Sequence, residues 1–293
     1  MEMHWPEVLE FCQHTTAELA LFLATKFAKV VADRKQDGSL VTEADQWTDQ
    51  ELRLRLSQRF PTHGLLTEET SHIFPANDWC WVIDPIDGTT NFTRGIPIWG
   101  ISLGLLYRGT PVFGFVHFPL LQQSFWGYWF QGSGLTGPTG AYLNGEPIHV
   151  STDQPSSNHL FNLCARSMAI MVKPFPCKFR LMGVASYNIL LVAAGTALGG
   201  AEKTPKIWDI AGAWPILRAA GGSFLFLGSG SIFPLQVGRD YGHYPVPCLT
   251  ASQPALLEQF RPLVMPILES PPPESQLRNE VAKIEAEQTF SQP

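Results

Sequence analysis

The spacing of apolar residues predicts a different order of helices and strands on either side of residue 150. Before it, two amphipathic helical stretches precede a series of apolar strands; after it, short strands and helical stretches alternate. Consecutive strands joined by turns are typical of antiparallel α+β structure, whereas alternation of strand and helix is typical of α/β structure. We therefore predict an N-terminal α+β lobe over residues 1–150 and a C-terminal α/β lobe over residues 151–268.

The N-terminal lobe begins with helical periodicity and continues with strand periodicity. Apolar residues at helical spacing predict a helix over 5–32 and a second helix from Thr42 to Phe60, with Thr42 as its N-cap and Asp45 in its first turn. Apolar runs bounded by turn residues predict the strands that follow. These predicted strands are 64–67, 79–83, 98–107, 111–118 and 124–130, followed by a hairpin turn at 144–145.

The C-terminal lobe is predicted from shorter segments. The predicted strands are 159–163, 179–182, 223–227 and 247–251, and the predicted helices are 166–172, 186–197, 210–220 and 254–268. The glycines of 195–200 do not form G-x-G-x-x-G and follow a helical stretch, which excludes a dinucleotide-binding motif. The polar, proline-rich segment 269–293 is typical of a disordered tail.

Composition narrows the classes of protein that fit this pattern. The chain has 293 residues, 45% of them hydrophobic, and a net charge of −6, which argues against a nucleic-acid partner. No apolar run is long enough to cross a bilayer without charge or proline, and the N-terminus lacks the pattern of a signal peptide. The five cysteines are scattered without a C-x-x-C, so we expect a reduced, cytoplasmic protein.

Candidate chemistry is concentrated in residues 79–95, which read WCWVIDPIDGTTNFTRG. The apolar strand is expected to end at Asp84, because Pro85 removes a backbone donor. Asp87 follows three residues later, beside Gly88 and a predicted helix start. Two close carboxylates repel each other unless a cation is present, and Mg²⁺ often shares such ligands with phosphates. A solvated, Asp-rich turn is an equally good interpretation of these few residues alone.

The longer string DPIDGTTNF resembles the first signature of the inositol monophosphatase family of Mg²⁺-dependent, lithium-sensitive phosphatases. The second signature, W-D-x-A-x-G followed by A-G-G, is matched by WDIAGAWPILRAAGG at Trp208 to Gly222. The resemblance extends from the first helix to about residue 268. It implies a layered αβαβα sandwich of the inositol monophosphatase and sugar phosphatase type, with two or three Mg²⁺ in the site.

The resemblance also implies a role for particular residues. The implied metal ligands are Glu68, Asp84, the Ile86 carbonyl, Asp87 and Asp209. The residues implied to position the attacking water are Thr89, Asp45 and Glu69. The residues implied to contact phosphate or the rest of the substrate are Gly88, Thr89, Ala185 and Glu202. Thr67 stands where the family has a glycine before the two glutamates.

The residues alone give several of these positions a second, purely structural interpretation. Asp45 fits an acid that complements a helix dipole, Asp209 fits an N-cap, and Glu202 fits a surface acid. Lys35 is either a solvated loop residue or a neighbour of the site.

The function implied by the resemblance is hydrolysis of a small-molecule phosphate ester, with inositol 1-phosphate as the first candidate. Histidinol phosphate, a sugar bisphosphate and a 3′-phosphoadenosine nucleotide are alternatives with the same chemistry. A catalytically silent member that binds metal or a partner is a further alternative, and a homodimer is compatible with either. A glycosidase using Asp84 and Asp87 as its carboxylate pair is disfavoured by their spacing and by the second signature.

Overall fold

The computed structural model describes residues 3–35, 40–170 and 174–268, so the predicted tail at 269–293 lies outside the described residues. The helices are α1 (Trp5–Lys26), α2 (Glu43–Arg59), α3 (Thr89–Arg94), α4 (Ala185–Ala193), α5 (Ile207–Ala211), α6 (Ala213–Ala219) and α7 (Pro254–Val264). Short 3₁₀ helices span Pro119–Leu121, Ala165–Ile170 and Met265–Leu268. Within these residues, no helix has both the length and the apolar character needed to cross a bilayer.

The strands follow in chain order. They are β1 (Ala32–Arg34), β2 (Leu40–Thr42), β3 (Gly64–Thr67), β4 (Trp79–Asp87), β5 (Gly100–Tyr107), β6 (Thr110–Phe118), β7 (Gln123–Tyr128), β8 (Gly140–Leu143), β9 (Glu146–Pro147), β10 (Leu160–Leu163), β11 (Lys178–Arg180), β12 (Gly199–Glu202), β13 (Ser223–Phe226) and β14 (Cys248–Ala251). Asn144 and Gly145 form the predicted hairpin turn between β8 and β9, both with positive φ.

Two large sheets are formed by the described strands. The first has seven strands in the order β3-β4-β5-β6-β7-β8-β9, and only its β3–β4 pair is parallel. The second has five strands in the order β11-β10-β12-β14-β13, with β10 parallel to both of its neighbours. The two sheets are therefore built from separate stretches of chain, one ending at residue 147 and the other beginning at residue 160.

The helices form layers on both sides of each sheet. The helices α1 and α2 bury Val8, Leu52 and Leu56 with apolar residues of the first sheet. The helices α4, α5 and α6 lie between the sheets in one continuous apolar cluster, and α7 covers the outer face of the second sheet through Phe260. The order of layers is α, β, α, β, α, so the predicted fold class is confirmed.

The glycines of the first sheet allow the central helix layer to approach it closely. Gly104 and Gly114 are partners across β5 and β6. A Cβ atom at Gly114 would lie 1.8 Å from the Gly212 carbonyl oxygen, and one at Gly104 would lie 2.6 Å from the Ala211 backbone. Backbone therefore packs directly on backbone where α5 meets α6, and side chains at these strand positions would push the helices away.

The first helix and the central strand differ from the predictions. The helix predicted over 5–32 ends at Lys26, because Ala28 has φ +59 and the Phe27 ring turns inward onto Phe92 and Trp99. The strand predicted to end at Asp84 continues through Pro85 to Asp87. A register shift between residues 84 and 87 forms a β-bulge that accommodates Pro85, because a residue within a bulge does not need a backbone N–H to pair with the neighbouring strand.

The C-terminal segments also contain differences. The strand β12 was not predicted, because Gly199 and Gly200 resemble loop residues; here their missing side chains leave room for Phe161 and Asn162 of the adjacent strand. The helix predicted over 186–197 ends at Ala193. The helix predicted over 166–172 is a 3₁₀ turn at Ala165–Ile170, and residues 171–173 lie outside the described residues. The helix predicted over 210–220 begins at Ile207 and divides at Gly212.

Candidate active site

The bulge in β4 brings Asp84 and Asp87 to the same side of the first sheet. Residues three apart in a regular strand point to opposite faces. Here Asp84 pairs with Ser102 and Asp87 with Gly100, so β4 contains one residue more than its partner strand between these points. The extra residue removes the alternation, and the two carboxylates can converge with Asp209. Ligand atoms of Asp84, Asp87 and Asp209 all lie within 4.8 Å of one another.

Asp209 reaches the same point from the central helix layer. It lies in the first turn of α5, where its Oδ2 accepts a 2.7 Å hydrogen bond from the Lys206 backbone N–H. The alternative prediction that Asp209 is the helix N-cap is therefore wrong. Lys206 is the N-cap, and Asp209 is the third residue of the helix. Gly104 of β5, the strand beside β4, allows α5 to pack closely on the first sheet and so holds Asp209 near β4.

The electrostatics of this cluster favour a bound cation. Burial, followed by repulsion from neighbouring carboxylates, raises the pKa of Asp84 and Asp209 well above the ordinary value for aspartate. Burial raises the pKa of Asp87 to about 6, against hydrogen bonds from Ser186. The donor atoms are all carboxylate oxygens, the ligand type that Mg²⁺ and Ca²⁺ prefer. These residues therefore fit a hard cation, whose charge relieves the repulsion.

Glu68 and Glu69 follow directly after β3, which runs parallel to β4. The Lys35 ammonium bridges them, with Nζ 2.8 Å from Glu68 Oε1 and 2.6 Å from Glu69 Oε1. Burial raises the pKa of both glutamates. Burial alone would lower the pKa of Lys35, but the charges and hydrogen bonds of the two carboxylates outweigh it, so the pKa of Lys35 is raised overall. Lys35 is therefore a neighbour of the site and not a solvated loop residue.

Asp45 has a structural role and a contact with the site at the same time. Its Oδ2 accepts hydrogen bonds from the Thr42 backbone N–H at 2.7 Å and from Thr42 Oγ1 at 2.6 Å, which completes a capping box at the start of α2. Its Oδ1 accepts a 3.0 Å hydrogen bond from Thr89 Oγ1. Burial raises the pKa of Asp45 to about 6.

The start of α3 and the start of α4 meet at Asp87. Gly88 caps α3 with φ +97, and a Cβ there would lie 2.6 Å from Val184 Cγ2. The Ser186 backbone N–H donates a 2.8 Å hydrogen bond to Asp87 Oδ2. Ala185, immediately before it, is the first residue of α4 and lines the same cavity as Gly88. A glycine is required at residue 88 both by its φ and by this close contact.

A cavity of about 560 Å³ lies between the two sheets and contains these groups. This volume is in the usual range for a small-molecule site. Of the predicted site residues, its lining includes Glu68, Asp84, Ile86, Asp87, Gly88, Thr89, Ala185, Glu202 and Asp209. Asp45 and Glu69 do not line it: Asp45 lies behind Thr89, and Glu69 faces a smaller neighbouring pocket beside Asp49.

Glu202 is buried, so it is not the surface acid of its alternative interpretation. Its Oε1 accepts a 2.6 Å hydrogen bond from the Asn188 side-chain amide. Burial raises the pKa of Glu202 to about 7, although the hydrogen bonds from Asn188 and Cys164 lower it. It lies at the end of β12, on the side of the cavity formed by the second sheet.

The structure adds residues that the sequence interpretation did not single out. The cations Arg166 and Lys206 also line the cavity, and His72 stacks on Trp208 with ring centroids 5.5 Å apart. His72 also contacts the Glu68 carbonyl at 2.7 Å. Lys206 is close to Asp209 in sequence and was a detectable candidate, but Arg166 and His72 lie in segments with no motif of their own.

The fold and the site together define a layered α/β protein with an acidic cavity suited to a hard cation. Comparison with known proteins identifies its family. The model of the inositol monophosphatase family matches residues 5–264. The chain belongs to this family and is a phosphoric monoester hydrolase.

Individual relatives show how similar the chain is to known members. A histidinol-phosphatase from Chlorobaculum parvum is 31% identical over 232 residues, covering 70% of this chain and 83% of the relative. Inositol monophosphatase 3 from Solanum lycopersicum is 32% identical over 223 residues, covering 68% of this chain and 78% of the relative. The structure of staphylococcal inositol monophosphatase-1, in a LiCl-soaked inhibitory complex, superposes with a TM-score of 0.74 at 20% identity, covering 92% and 97%.

Proposed function

We propose that the protein is a Mg²⁺-dependent phosphatase of small phosphate monoesters, with inositol 1-phosphate as the first candidate substrate. The observation that carries this proposal is the convergence of Asp84, Asp87 and Asp209 within 4.8 Å in the cavity. The family membership supports the reaction class, and the relative named inositol monophosphatase supports the first substrate.

Two groups of ligands would hold the metal ions. Asp84, Asp87 and Asp209 would hold one ion, and Glu68, Asp84 and the Ile86 carbonyl would hold a second. When bound, such ions lower the pKa of water and neutralise charge on the phosphate and the departing oxygen. The burial and the mutual repulsion that raise the pKa of these carboxylates support such binding, because a bound cation would relieve both. Lithium inhibition is part of the proposal, supported by the inhibitory complex of the staphylococcal relative.

The Thr89 hydroxyl and Asp45 would orient the attacking water. Thr89 Oγ1 lies 3.0 Å from Asp45 Oδ1 and 3.1 Å from the Ile86 carbonyl, but its single proton serves only one of them at a time. If the Ile86 carbonyl binds a cation, the proton is directed to Asp45, and the Thr89 lone pairs then accept a hydrogen bond from water. Glu69 would support this arrangement through Lys35, which it shares with Glu68.

The rest of the substrate would lie between the two sheets. The backbone N–H groups of Gly88 and Thr89 would contact the phosphate, and Ala185 and Glu202 would contact the alcohol. No protein nucleophile is needed, because the water attacks the phosphorus directly. The free state of all five cysteines supports a reducing, cytoplasmic location.

Histidinol phosphate is a second candidate, favoured by the burial of Glu202. The carboxylate is almost entirely removed from solvent, and the hydrogen bonds that lower its pKa come from the neutral Asn188 and Cys164 side chains. A substrate ammonium would stabilise its charged form. The histidinol-phosphatase relative from Chlorobaculum parvum supports this alternative.

Phosphate release from a panel of substrates, measured across a range of Mg²⁺ concentrations, tests the proposal. Hydrolysis should require Mg²⁺, should stop in excess EDTA, and should be restored by added Mg²⁺. The panel should include inositol 1-phosphate, histidinol phosphate, a sugar bisphosphate and a 3′-phosphoadenosine nucleotide. Undiminished hydrolysis in excess EDTA would exclude the metal-dependent mechanism.

A further inference from the structure

Thr67 replaces the glycine that the family resemblance predicted, and its hydroxyl is engaged in the turn that carries Glu68 and Glu69. The side chain is completely buried at the end of β3. Its Oγ1 accepts hydrogen bonds from the backbone N–H groups of Thr70 at 3.2 Å and Ser71 at 3.3 Å. A glycine at this position could make none of these side-chain contacts.

The Thr67 hydroxyl is also linked to helix α2. Thr67 Oγ1 lies 3.0 Å from Thr70 Oγ1, and Thr70 Oγ1 donates a 2.9 Å hydrogen bond to Asp49 Oδ2. A hydroxyl has one proton, so Thr70 uses its proton on Asp49, and Thr67 must donate to Thr70. The chain of donors therefore runs from Thr67 to Thr70 to Asp49 and ends on a buried carboxylate, where the bond is charge-assisted.

These contacts enclose the two glutamates from both sides. Thr67 precedes them, Thr70 follows them, and the Thr67 backbone N–H donates a 2.8 Å bond to the Ser71 carbonyl. Asp49 belongs to the same helix as Asp45. The turn that presents Glu68 is thus tied to the helix that presents the proposed water-orienting aspartate.

We propose that Thr67, Thr70 and Asp49, together called the acidic-turn clasp, are positioning residues that hold Glu68 in the orientation needed for cation binding. The inference rests on the proposed function of Glu68 as a metal ligand. The Glu68 backbone is also held by its N–H bond to the Ile83 carbonyl and by the contact of its carbonyl with His72, whereas its carboxylate is drawn by Lys35 toward a competing cation. The clasp fixes the backbone of the turn through contacts that do not involve Lys35.

The central experiment compares Thr67→Val with Thr67→Ser in the full-length protein. Valine keeps the branched shape and removes the hydroxyl, whereas serine keeps the hydroxyl. Mg²⁺ binding is measured directly by calorimetry without substrate, and the Mg²⁺ concentration for half-maximal hydrolysis is measured separately. Thr67→Val should weaken Mg²⁺ binding by roughly tenfold or more, as is usual when the residues supporting a metal ligand are changed, and Thr67→Ser should restore most of it.

Two further variants make the result interpretable. Thr16→Val is the matched control, because Thr16 is also a buried threonine, its hydroxyl bonds only to the backbone of α1, and it is not among the residues that line the cavity. It should leave Mg²⁺ binding unchanged. Thr70→Val breaks the same donor chain at an exposed residue and provides a second test if Thr67→Val does not fold.

Unchanged Mg²⁺ affinity in Thr67→Val, or in Thr70→Val where the former fails to fold, would overturn the proposal. The same holds for a loss of melting temperature without a loss of affinity. Failure of the proposed function has a different signature: wild-type protein that binds Mg²⁺ but releases phosphate from no substrate. In that case the calorimetric comparison still tests the clasp.

Discussion

At the scale of single residues, several carboxylates of the site have two roles. One oxygen accepts a hydrogen bond from a backbone N–H at the start of a helix, and the other oxygen is free for contacts within the site. Asp45 caps α2 through one oxygen and contacts Thr89 through the other. Asp87 accepts the Ser186 N–H at the start of α4, and Asp209 accepts the Lys206 N–H at the start of α5. The structural and functional interpretations of these acids are therefore compatible, because a carboxylate has two oxygens with separate lone pairs.

Asp87→Asn is expected to lower kcat by at least about 10²-fold, because charge stabilisation by a bound metal contributes several kcal/mol to the barrier. The amide can still accept the Ser186 N–H bond, so the fold should be retained. Initial rates at saturating Mg²⁺ measure the effect. Asp78→Asn, which changes an exposed aspartate paired with Arg108, is the matched control and should keep the wild-type rate. A near-wild-type rate for Asp87→Asn would remove Asp87 from the set of metal ligands.

Glu202→Gln is expected to cause a loss that depends on the substrate. A polyol would lose one charge-assisted hydrogen bond, worth roughly 1.5–3 kcal/mol at most. An amino alcohol would lose an ion pair as well, so its kcat/KM should fall further, whereas an aryl phosphate without polar groups should be hydrolysed almost as before. Steady-state kinetics on the three substrates measure the difference. Equal losses on all three would show that Glu202 supports the fold or the metals.

At the scale of secondary-structure elements, the site depends on how closely α5 and α6 approach the first sheet. Asp84 and Asp87 belong to β4, whereas Asp209 belongs to α5. Their separation is set by glycine contacts beneath the helices, which leave no room for a side chain at Gly114. Small changes in this packing should therefore move Asp209 relative to the other two carboxylates.

Gly114→Ala is expected to destabilise the protein by about 1–3 kcal/mol or more, since the added methyl group overlaps the Gly212 carbonyl and the backbone must shift. It should also weaken Mg²⁺ binding by moving α5. Thermal unfolding and calorimetry measure the two effects. Gly132→Ala is the control: its methyl group meets nothing within 4 Å, so any cost comes from its positive φ. Mg²⁺ affinity should then be unchanged, and equal affinities in the two variants would contradict this account.

At the scale of the whole molecule, the acids around the cavity are buried, so their charged forms are unfavourable, and a bound cation should stabilise those forms. Burial raises the pKa of Asp45 and Asp87 to about 6 and that of Glu202 to about 7. The only cation bridging the glutamates among the described residues is Lys35. The cavity region is therefore the part of the molecule whose stability should respond most to metal and to pH.

The melting temperature of the metal-free protein is expected to fall as the pH rises from about 4 to about 7. In this window the native state binds more protons than the unfolded state, because the folded pKa values of Asp45, Asp87 and Glu202 are raised, so the free energy of unfolding decreases with pH. Scanning calorimetry in EDTA and in Mg²⁺ should show a stabilisation by Mg²⁺ that increases across this range. A melting temperature in EDTA that rises with pH there would contradict this expectation.

Most helices and strands could be predicted from the residues alone, because they follow from local periodicity, from capping residues such as Thr42 and from an uninterrupted apolar strand before Asp84. The layered fold class and the candidate acids of the two signatures were predicted from the resemblance to the inositol monophosphatase family.

Other features arise from contacts between distant segments and could not be predicted. These features are the bulge that carries β4 through Pro85, the strand formed by Gly199 and Gly200, the burial of Glu202, the contact of Lys35 with both glutamates, and the clasp formed by Thr67 with Asp49. Each of these depends on atoms far apart in sequence: a glycine fits a strand when a neighbouring ring fills its space, and a lysine enters a site when two carboxylates offset its desolvation.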